Sequence, residues 1–553
     1  MTDIEANSDL AVPERHPFLM MALLLGLGFA ATAPSLRNGF AYDDEVIVAT
    51  NESVHTLAAP WTYTQHGYWP VGGVRLFRPV TIWLYALQWK VGDGSPLAFH
   101  VVNVMFYLAG ILALYLVAAR LLPPPGAWLA AALFAVHPVH VEAVGNVVGQ
   151  AELNVGLSAL LGLLVYLEGR RLGAFSLSRR IVLALLLAWG GLAKEQGLML
   201  PVLLLVAEVT VVHDPRSWGQ RARSLLPVAL LQVVAVLLVL TLRLGAVGFG
   251  GMEQAIAIRG VAIGQRALTM LSVVPHWVRL LFWPTHLQAD YSPLEIVAAS
   301  GFGWSQLLGC ILIGVWIWGV WRSWSHNRTI AFGLLWLAVT LFPVNNVLLP
   351  TGIVLAERTL YLPSMGAVLV LGAMASWAWA RLGRRWPIRV VGVGLALAVL
   401  AAAGWRSANR QAVWRDSATL LATTVDDAPR SYRARWQYAK HMVGLGNAHE
   451  ALRLYREAMG LYDRDPLFLE DYGHRLRDFR GCREALPVFQ RALAVSETRV
   501  VARSRLYYCL LALDRISEAR QAAVRGVALG DSAFVPLVAR ADSLMAARAP
   551  TDG

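Results

Sequence analysis

The sequence predicts an all-α integral membrane protein, with a polytopic helical domain at residues 1–405 and a C-terminal α-solenoid at residues 406–545. Three observations predict this fold class: the composition, a series of long apolar stretches, and a repeat near the C-terminus. Of the 553 residues, 57% are hydrophobic and 15% are charged, whereas a soluble globular chain has roughly 45–50% and about 25%. Because such a chain cannot cover itself with polar surface, the composition excludes a soluble enzyme and predicts a membrane protein.

The apolar stretches form the first part of the chain, and a bilayer core is crossed by about 20 helical residues. We interpret eleven as spans, near 17–36, 97–121, 127–144, 152–169, 179–195, 197–213, 224–243, 304–322, 329–348, 358–381 and 387–405. A further stretch at 266–287 carries Arg266, His276 and Arg279, so it is predicted to be re-entrant or interfacial. The first stretch is not interpreted as a cleavable signal, because no small-x-small cleavage site follows it.

Positive charge orients these spans. The formal net charge is +12, and arginines concentrate in alternate loops, which is the pattern of cytoplasmic loops rather than of nucleic-acid binding. These arginines are Arg120, Arg170, Arg171, Arg179, Arg180, Arg216, Arg221, Arg223, Arg322, Arg328, Arg381, Arg384, Arg385 and Arg389. The resulting topology has a cytoplasmic N-terminus, and it places the first loop, residues 37–96, and everything after residue 405 outside the cytoplasm.

The C-terminal part contains a repeat of 34 residues. The pairs Glu450-Ala451, Glu484-Ala485 and Glu518-Ala519 recur at this spacing, with further small and aromatic residues at matching positions. The period is typical of tetratricopeptide repeats, whose stacked helix pairs form a concave groove suited to peptides. An unrelated helical bundle is the alternative. Cys482 and Cys509 lie on neighbouring repeats, and the sequence leaves open whether they meet.

Ionisable side chains cluster at the outside ends of the spans, where each costs roughly 2.5–3.5 kcal/mol on insertion scales and is therefore a site candidate. Asp43, Asp44 and Glu45 follow the first span. Adjacent carboxylates raise each other's pKa, which suits one of them to act as a base; a helix N-cap with first-turn acids is the alternative. Arg75 and Arg78 end the same loop, where arginine suits bidentate phosphate contact or an interfacial anchor.

The next motif combines His137, His140 and Glu142 with Gln150 and Glu152. Two histidines and a glutamate could bind a metal, but the intervening proline interrupts the helix and no complementary ligand set is evident. We therefore predict no metal ligands and expect polar contacts to a sugar or phosphate instead.

Three further motifs lie on the same side. Lys194-Glu195 interrupts an apolar run, either as a neutral structural pair or as an ammonium aimed at a phosphate. Asp290-Tyr291 follows the re-entrant stretch, and Glu357-Arg358 with Tyr361 opens the tenth span. A base, several cations and a lipid-facing cavity suit a lipid-phosphate-linked donor: the cations would stabilise the departing phosphate, and a carboxylate would deprotonate an incoming hydroxyl.

Several motifs together resemble a known family, the transmembrane and tetratricopeptide-repeat (TMTC-like) O-mannosyltransferases of the GT-C superfamily of membrane glycosyltransferases. They occur in the family's order over nearly the whole chain. The matching stretches are Gly39–Glu45, Phe77–Thr81, Phe99–Asn103, Ala132–Glu142, Val148–Glu152, Ala193–Gly197, Ala289–Ser292 and Ala356–Ser364.

The resemblance implies a GT-C fold, a polyprenyl- or dolichyl-phosphate sugar donor and an inverting mechanism with a first-loop aspartate as base. Carried onto this chain, Asp43 is the expected base and Asp44 the expected acceptor contact. Gln150 stands where the eukaryotic members are expected to have arginine. The expected acceptor-binding residues are Glu45, Asp290 and Tyr291. The expected donor-binding residues are Arg78, His137, His140, Glu142, Gln150, Glu152, Lys194, Glu195, Glu357, Arg358 and Tyr361.

These observations predict an inner-membrane enzyme that transfers mannose or another hexose from a polyprenyl phosphate to a Ser/Thr hydroxyl of an extracytoplasmic protein held by the repeats. Arginine-rich, lysine-poor usage suggests a GC-rich bacterium, with the repeats in the periplasm and an undecaprenyl-phosphate donor. The donor, the acceptor protein and the bilayer are the expected partners, and nucleic acid is not. A divalent metal beside Asp43 has no support in the sequence. The alternatives are a non-catalytic repeat scaffold for envelope polysaccharide assembly and a GT-C enzyme acting on a lipid or glycan.

Overall fold

The computed structural model describes residues 17–70, 76–248, 254–381 and 386–548, and the regular structure in these ranges is helical throughout. Arg75, Arg384 and Arg385 lie outside the described residues. The chain divides into two compact units: unit 1 comprises residues up to 289 together with 298–423, and unit 2 comprises 290–297 and the residues from 424 onward.

Helices of ten residues or more, numbered here in chain order, account for most of unit 1. They are α1 (Pro17–Thr32), α2 (Pro79–Gly92), α3 (Pro96–Leu121), α4 (Pro124–Ala135), α5 (Gln150–Arg171), α6 (Leu177–Ala193), α7 (Leu200–Thr210), α8 (Trp218–Val247), α9 (Ile263–Phe282), α10 (Trp304–His326), α11 (Arg328–Leu341), α12 (Tyr361–Arg381), α13 (Trp386–Gln411) and α14 (Ser417–Asp427), the last of which continues into unit 2.

Seven helical segments among the described residues are long and apolar enough to cross a membrane, as expected for a multi-pass membrane protein. An eighth is formed if α4 and the short helix that follows it, bent by 46°, count as one broken span. The other predicted spans coincide with shorter helices, namely α6, α7 and α11. The count of eleven therefore stays a prediction. Helix α9 covers most of the stretch predicted to be re-entrant or interfacial, and it is not among the seven.

The core of unit 1 lies between α3, α4, α5 and α12. Small residues bring helices close together: a Cβ on Gly333 of α11 would lie 2.7 Å from the carbonyl oxygen of Gly366 in α12. Such contacts suit membrane interiors, where packing rather than hydrophobic burial drives helix association. Helices α8, α10 and α13 form the outer layer, and only 22%, 11% and 6% of their apolar windows are buried, as expected for lipid-facing surfaces.

Unit 2 is a succession of short helices, each packed against its neighbour: α15 (Tyr432–Gly444), α16 (Ala448–Leu461), α17 (Pro466–Arg480), α18 (Cys482–Val495), α19 (Val500–Ala512), α20 (Ile516–Ala528) and α21 (Val535–Ala546). The repeated alanines Ala451, Ala485 and Ala519 are fully buried. Gly473 packs so closely on the ring of Phe489 that a Cβ would lie 2.6 Å from it. The assignment of these helices to tetratricopeptide repeats stays a prediction.

A disulfide joins α18 to α19 in unit 2. Cys482 and Cys509 are bonded with their Cα atoms 5.0 Å apart, whereas the sequence had left their pairing open. Cys310, in α10, is a free and exposed thiol.

Candidate active site

The candidate site of unit 1 is built where helices are interrupted. The break between α4 and α5 contains a 3₁₀ turn at Pro138–His140 and a short helix at Val141–Gly145. Helix α6 ends at Ala193, and the next residue, Lys194, has an extended backbone (φ −162°, ψ 149°). A further 3₁₀ turn, Glu357–Leu360, precedes α12. Each interruption holds polar side chains at the end of an apolar helix rather than along its lipid-facing surface.

Arg358 is the centre of the cluster. Its Nη1 lies 3.5 Å from Asp43 Oδ2 and 3.5 Å from Glu142 Oε1, and its Nε lies 3.7 Å from Glu152 Oε1. Its backbone N–H also donates a 2.9 Å hydrogen bond to Glu142 Oε2. One guanidinium therefore links the first loop, the short helix after α4 and the start of α5, which are distant in sequence.

Two more cations complete the cluster. Lys194 Nζ lies 2.5 Å from Glu152 Oε1, so Glu152 is shared by a lysine and an arginine. Arg78 lies 3.2 Å from Glu195 Oε2 and stacks over the ring of Tyr68, 4.8 Å from its centroid. Burial raises the pKa of Tyr68 to about 12, which keeps its hydroxyl protonated and neutral beside the arginine.

Asp43 and Asp44 have different surroundings. The Asp43 side chain is 17% exposed and faces Arg358. Asp44 is fully buried and accepts backbone N–H bonds from Ala41, Val147 and Val148 at 2.9–3.2 Å. Burial raises the pKa of Asp44 to about 7, and these three donors oppose the rise. In the structure Asp44 thus fastens the first loop to the turn before α5, and its role as an acceptor contact stays a prediction.

Both histidines are occupied by structural bonds. His137 donates from Nε2 to the carbonyl of Leu281 (3.0 Å) and accepts the N–H of Val139 at Nδ1 (3.2 Å), which is the neutral tautomer acting as an N-cap. His140 is buried between the hydroxyls of Tyr107 and Ser364, at 2.9 and 2.8 Å. The structure therefore does not bring these two predicted donor-binding residues into the charged cluster.

Gln150 and Tyr361 are likewise buried. Gln150 exchanges amide hydrogen bonds with Gln88 and donates to Asn103, so it holds α5 against α2 and α3. Tyr361 is fully buried and its ring lies 5.3 Å from that of Phe134. Glu357 accepts the backbone N–H of Gln288 at 2.5 Å and is buried.

The predicted acceptor residues fall in two places. Glu45 is exposed at the first loop and accepts a hydrogen bond from the hydroxyl of Ser417, which also accepts the backbone N–H of Tyr42. Ser417 lies so far along the chain that no local sequence pattern indicated its role. Asp290 and Tyr291 belong to unit 2, where Asp290 accepts a 2.6 Å bond from Ser431, the N-cap of α15; Tyr291 is buried.

Negative and positive charges in the unit 1 cluster are nearly equal in number. Four carboxylates face three cations, and within the described ranges no group of three or more His, Cys, Asp or Glu side chains is arranged to hold a metal ion. The cluster members are Asp43, Glu142, Glu152, Glu195, Arg78, Lys194 and Arg358. Such an arrangement offers cations to a bound anion, and two of its carboxylates, Asp43 and Glu195, are partly exposed; Glu195 is paired with Arg78, and Asp43 faces Arg358.

Comparison with known proteins adds a family resemblance. The chain is 26% identical over 503 residues to protein O-mannosyl-transferase TMTC3 of Mus musculus, covering 85% of this chain and 54% of that protein. It is 24% identical to human TMTC3 (91% and 54% covered) and 25% identical to TMTC4 of Mus musculus (82% and 68% covered). The chain thus spans about half the length of the TMTC3 proteins. These homologues confirm the resemblance predicted from the motifs.

No protein-family model matches the chain. Among solved structures, an oligosaccharyltransferase of Archaeoglobus fulgidus tethered with an acceptor peptide aligns with 12% identity and a TM-score of 0.42, covering 79% of this chain and 59% of that one.

Proposed function

We propose that the chain is a membrane glycosyltransferase of the GT-C type that transfers a sugar, mannose or another hexose, from a polyprenyl-phosphate donor to a Ser/Thr hydroxyl of an extracytoplasmic protein. The observation that carries the proposal is the convergence of Asp43, Glu142 and Glu152 on Arg358, with Lys194 sharing Glu152. The named O-mannosyl-transferase homologues support the same reaction class.

In the proposed reaction Asp43 is the general base and removes the proton of the acceptor hydroxyl as its oxygen attacks the anomeric carbon. Attack from the face opposite the phosphate inverts the configuration, and the lipid phosphate leaves. Arg358 and Lys194 stabilise the negative charge that develops on the phosphate, as preorganised cations do in a site shielded from water. Asp44 does not touch the acceptor in this scheme but holds the loop that carries Asp43.

Arg358 couples the two substrates. Its guanidinium lies 3.5 Å from the Asp43 carboxylate, so a donor phosphate that binds Arg358 lies beside the candidate base. Arg78, paired with Glu195 beside Tyr68, is the third proposed phosphate contact.

The proposed setting is a bacterial inner membrane, with the site and the repeats on the periplasmic side. Unit 2 would hold the acceptor protein, since stacked helix pairs present an extended surface to peptides. An undecaprenyl-phosphate donor fits this setting.

The test is a transfer assay with the purified full chain in lipid nanodiscs, polyprenyl-phosphate mannose and a Ser/Thr-rich peptide. Loss of a general base typically costs 10²–10⁴-fold, so Asp43→Asn is expected to lower the rate by about that factor. Glu52→Gln is the matched control, because Glu52 is an exposed acid of the same loop, and it should retain the native rate. Full transfer by Asp43→Asn would disprove the catalytic assignment. Absence of transfer by the native chain with every polyprenyl-phosphate hexose, while an acceptor protein still binds, would favour the scaffold alternative.

A further inference from the structure

A second charged feature lies at the opposite end of α5. Glu152, in the candidate active site, and Glu168 are 16 positions apart on this helix, which corresponds to about 24 Å at 1.5 Å per residue. Around Glu168 the structure contains a groove of about 330 Å³ between α3, α5 and α6. The groove is thus separate from the charged cluster around Arg358.

The groove is lined by apolar side chains and by two arginines. Its lining comprises Leu164, Val165 and Val182 together with Arg120, Arg179, Glu168 and Ser178. Arg120 belongs to the last turn of α3, and Arg179 to the first turn of α6. Both arginines are in loops predicted to be cytoplasmic, where the leaflet carries anionic lipids.

The acid in the groove is neutralised by a third arginine. Arg171 donates from Nε (3.1 Å) and Nη2 (2.7 Å) to the two oxygens of Glu168. Arg120 is 4.0 Å from the same carboxylate, with its side chain 40% exposed, and donates from Nη1 to the carbonyl of Leu116. The two arginines of the lining therefore keep a net positive charge toward an incoming anion.

The apolar wall is continuous with the lipid-facing surface. Val182 is 40% exposed, and Ile181 and Leu185 on the same helix are 43% and 62% exposed. An acyl chain lying along α6 can therefore enter the groove without crossing polar surface. A free phosphate would use the arginines but leave the apolar wall uncovered.

We propose that this groove is a binding site for an anionic phospholipid, with the phosphodiester headgroup between Arg120 and Arg179 and an acyl chain against Val182 and Leu164. The proposal is independent of the transferase function. Basic pockets between transmembrane helices on the cytoplasmic side commonly hold anionic headgroups, while the chains follow the neighbouring helices. A zwitterionic lipid has the same chains but adds a cation that the arginines repel.

The test uses the full chain, delipidated in detergent and titrated with palmitoyl-oleoyl phosphatidylglycerol or phosphatidylcholine under native mass spectrometry. We expect tight retention of one phosphatidylglycerol and weak retention of phosphatidylcholine. The double variant R120Q/R179Q should bind phosphatidylglycerol about 30-fold more weakly. Arg322→Gln removes an exposed arginine that does not line the groove and should bind like the native protein.

A second variant covers the case in which loss of two arginines impairs folding. Val182→Trp fills the groove from the lipid-facing side and leaves both arginines in place, so it should also weaken phosphatidylglycerol binding. Equal retention of the two lipids, or native binding by both R120Q/R179Q and Val182→Trp, would overturn the proposal. Displacement of the lipid by millimolar glycerol phosphate would also overturn it, because a site for the headgroup alone gains nothing from the apolar wall.

Discussion

Asp43 and Asp44 are adjacent in the chain, but their carboxylates have different partners. The Asp43 carboxylate faces Arg358. The Asp44 carboxylate lies in the interior, where three backbone N–H groups donate hydrogen bonds to it. A buried carboxylate that accepts several backbone donors orders the loop around it. The candidate base is thereby positioned by its own neighbour.

The pH dependence of stability should report on Asp44. Burial raises its pKa to about 7 in the folded protein, against an ordinary value of about 3.9, so between these values the folded protein holds a proton that the unfolded chain has released. The free energy of unfolding therefore decreases as pH rises from about 4 to about 7 and is level above that. Asp44→Asn should remove this component.

Thermal unfolding midpoints in detergent at pH 5 and pH 8 measure the effect. Glu45→Gln, an exposed acid next in sequence, is the control and should keep the native pH dependence. An Asp44→Asn variant with the same change between pH 5 and pH 8 as the native protein would contradict the raised pKa.

Variants of the buried ion pair between Lys194 and Glu152 can distinguish the contribution of Lys194 to stability from its proposed contact with the donor phosphate. Removing one partner of a buried pair typically costs 3–5 kcal/mol; because Glu152 keeps Arg358 at 3.7 Å, Lys194→Met should lower the free energy of unfolding by about 3 kcal/mol, the lower end of that range. The double variant E152Q/K194M leaves neither charge and should recover most of the stability. Transfer activity should stay lost in the double variant, because the proposed phosphate contact is still missing.

Denaturant unfolding and the transfer assay, applied to both variants, measure the two quantities. Recovery of activity together with stability in the double variant would show that Lys194 is a structural ion-pair partner and not a phosphate ligand. Leu198→Met, a neutral change in the turn that follows Lys194, serves as the control for packing.

The sequence could identify charged residues in apolar surroundings but not their partners. A cation at a membrane boundary is costly, which marks Lys194 and Arg358 as site candidates, and both lie in the cluster. His137 and Gln150 are polar residues at the same boundaries, yet their bonds go to Leu281 and Gln88, far along the chain. Which polar group is satisfied inside the fold depends on tertiary contacts that no local spacing encodes.

The positions at which the helices are interrupted determine the candidate active site more than the lengths of the helices do. Pro138 stops α4 from continuing into α5, and Lys194 takes an extended backbone between α6 and the turn that follows. Unpaired backbone groups at such breaks are tolerated in membranes where they are buried in protein or line a cavity. Hydropathy locates long apolar helices well, but short ones such as α7 and α11 depend on packing for their limits.

Gly197 should be essential to the break after α6. A Cβ at this position would lie 2.1 Å from the carbonyl carbon of Gly190, and a backbone cannot yield as a flexible side chain does. Gly197→Ala should cost about 1–3 kcal/mol. It should also lower transfer by about 100-fold, as displacement of a positioning group by 1 Å does, because the same turn carries Lys194 and Glu195.

Gly245→Ala is the matched control for that change. A Cβ on Gly245, an exposed position of α8, meets nothing within 4 Å, so alanine should be neutral or stabilise the helix by up to about 1 kcal/mol. Unfolding midpoints and transfer rates measure both variants. Native behaviour of Gly197→Ala would mean that the turn does not depend on close contact with α6.

The distribution of arginines and the disulfide are independent indications of how the whole chain is oriented in the membrane. The arginine-rich loops predict that everything after residue 405 is extracytoplasmic. The Cys482–Cys509 disulfide in unit 2 is the kind of bond that persists in oxidising compartments and is rare in the cytoplasm. The two observations agree, although one concerns loops of unit 1 and the other two helices of unit 2.

The disulfide should be present in the protein isolated from membranes and should stabilise unit 2. Of the three cysteines, only Cys310 should react with maleimide in unfolded, unreduced protein, and all three should react after reduction, as counted by mass spectrometry. The bond closes a loop with a sequence separation of 27, which corresponds to about 3–4 kcal/mol in the loop-entropy model. C482S/C509S should lose that amount in denaturant unfolding, and three reactive thiols without reduction would contradict the pairing.

Orientation itself is tested by the accessibility of a single new thiol in a Cys310→Ser background. Thr498→Cys lies at an exposed position between α18 and α19, and Ser325→Cys lies at an exposed position near the end of α10, in a loop predicted to be cytoplasmic. A membrane-impermeant maleimide added to intact spheroplasts should label Thr498→Cys and should reach Ser325→Cys only after lysis. The reverse pattern would place the repeats in the cytoplasm, where the disulfide would not persist and an extracytoplasmic acceptor could not reach them. Labelling of both positions in intact cells would instead put them on the same side and require an even number of spans between them, whereas the three predicted spans near 329–348, 358–381 and 387–405 put them on opposite sides.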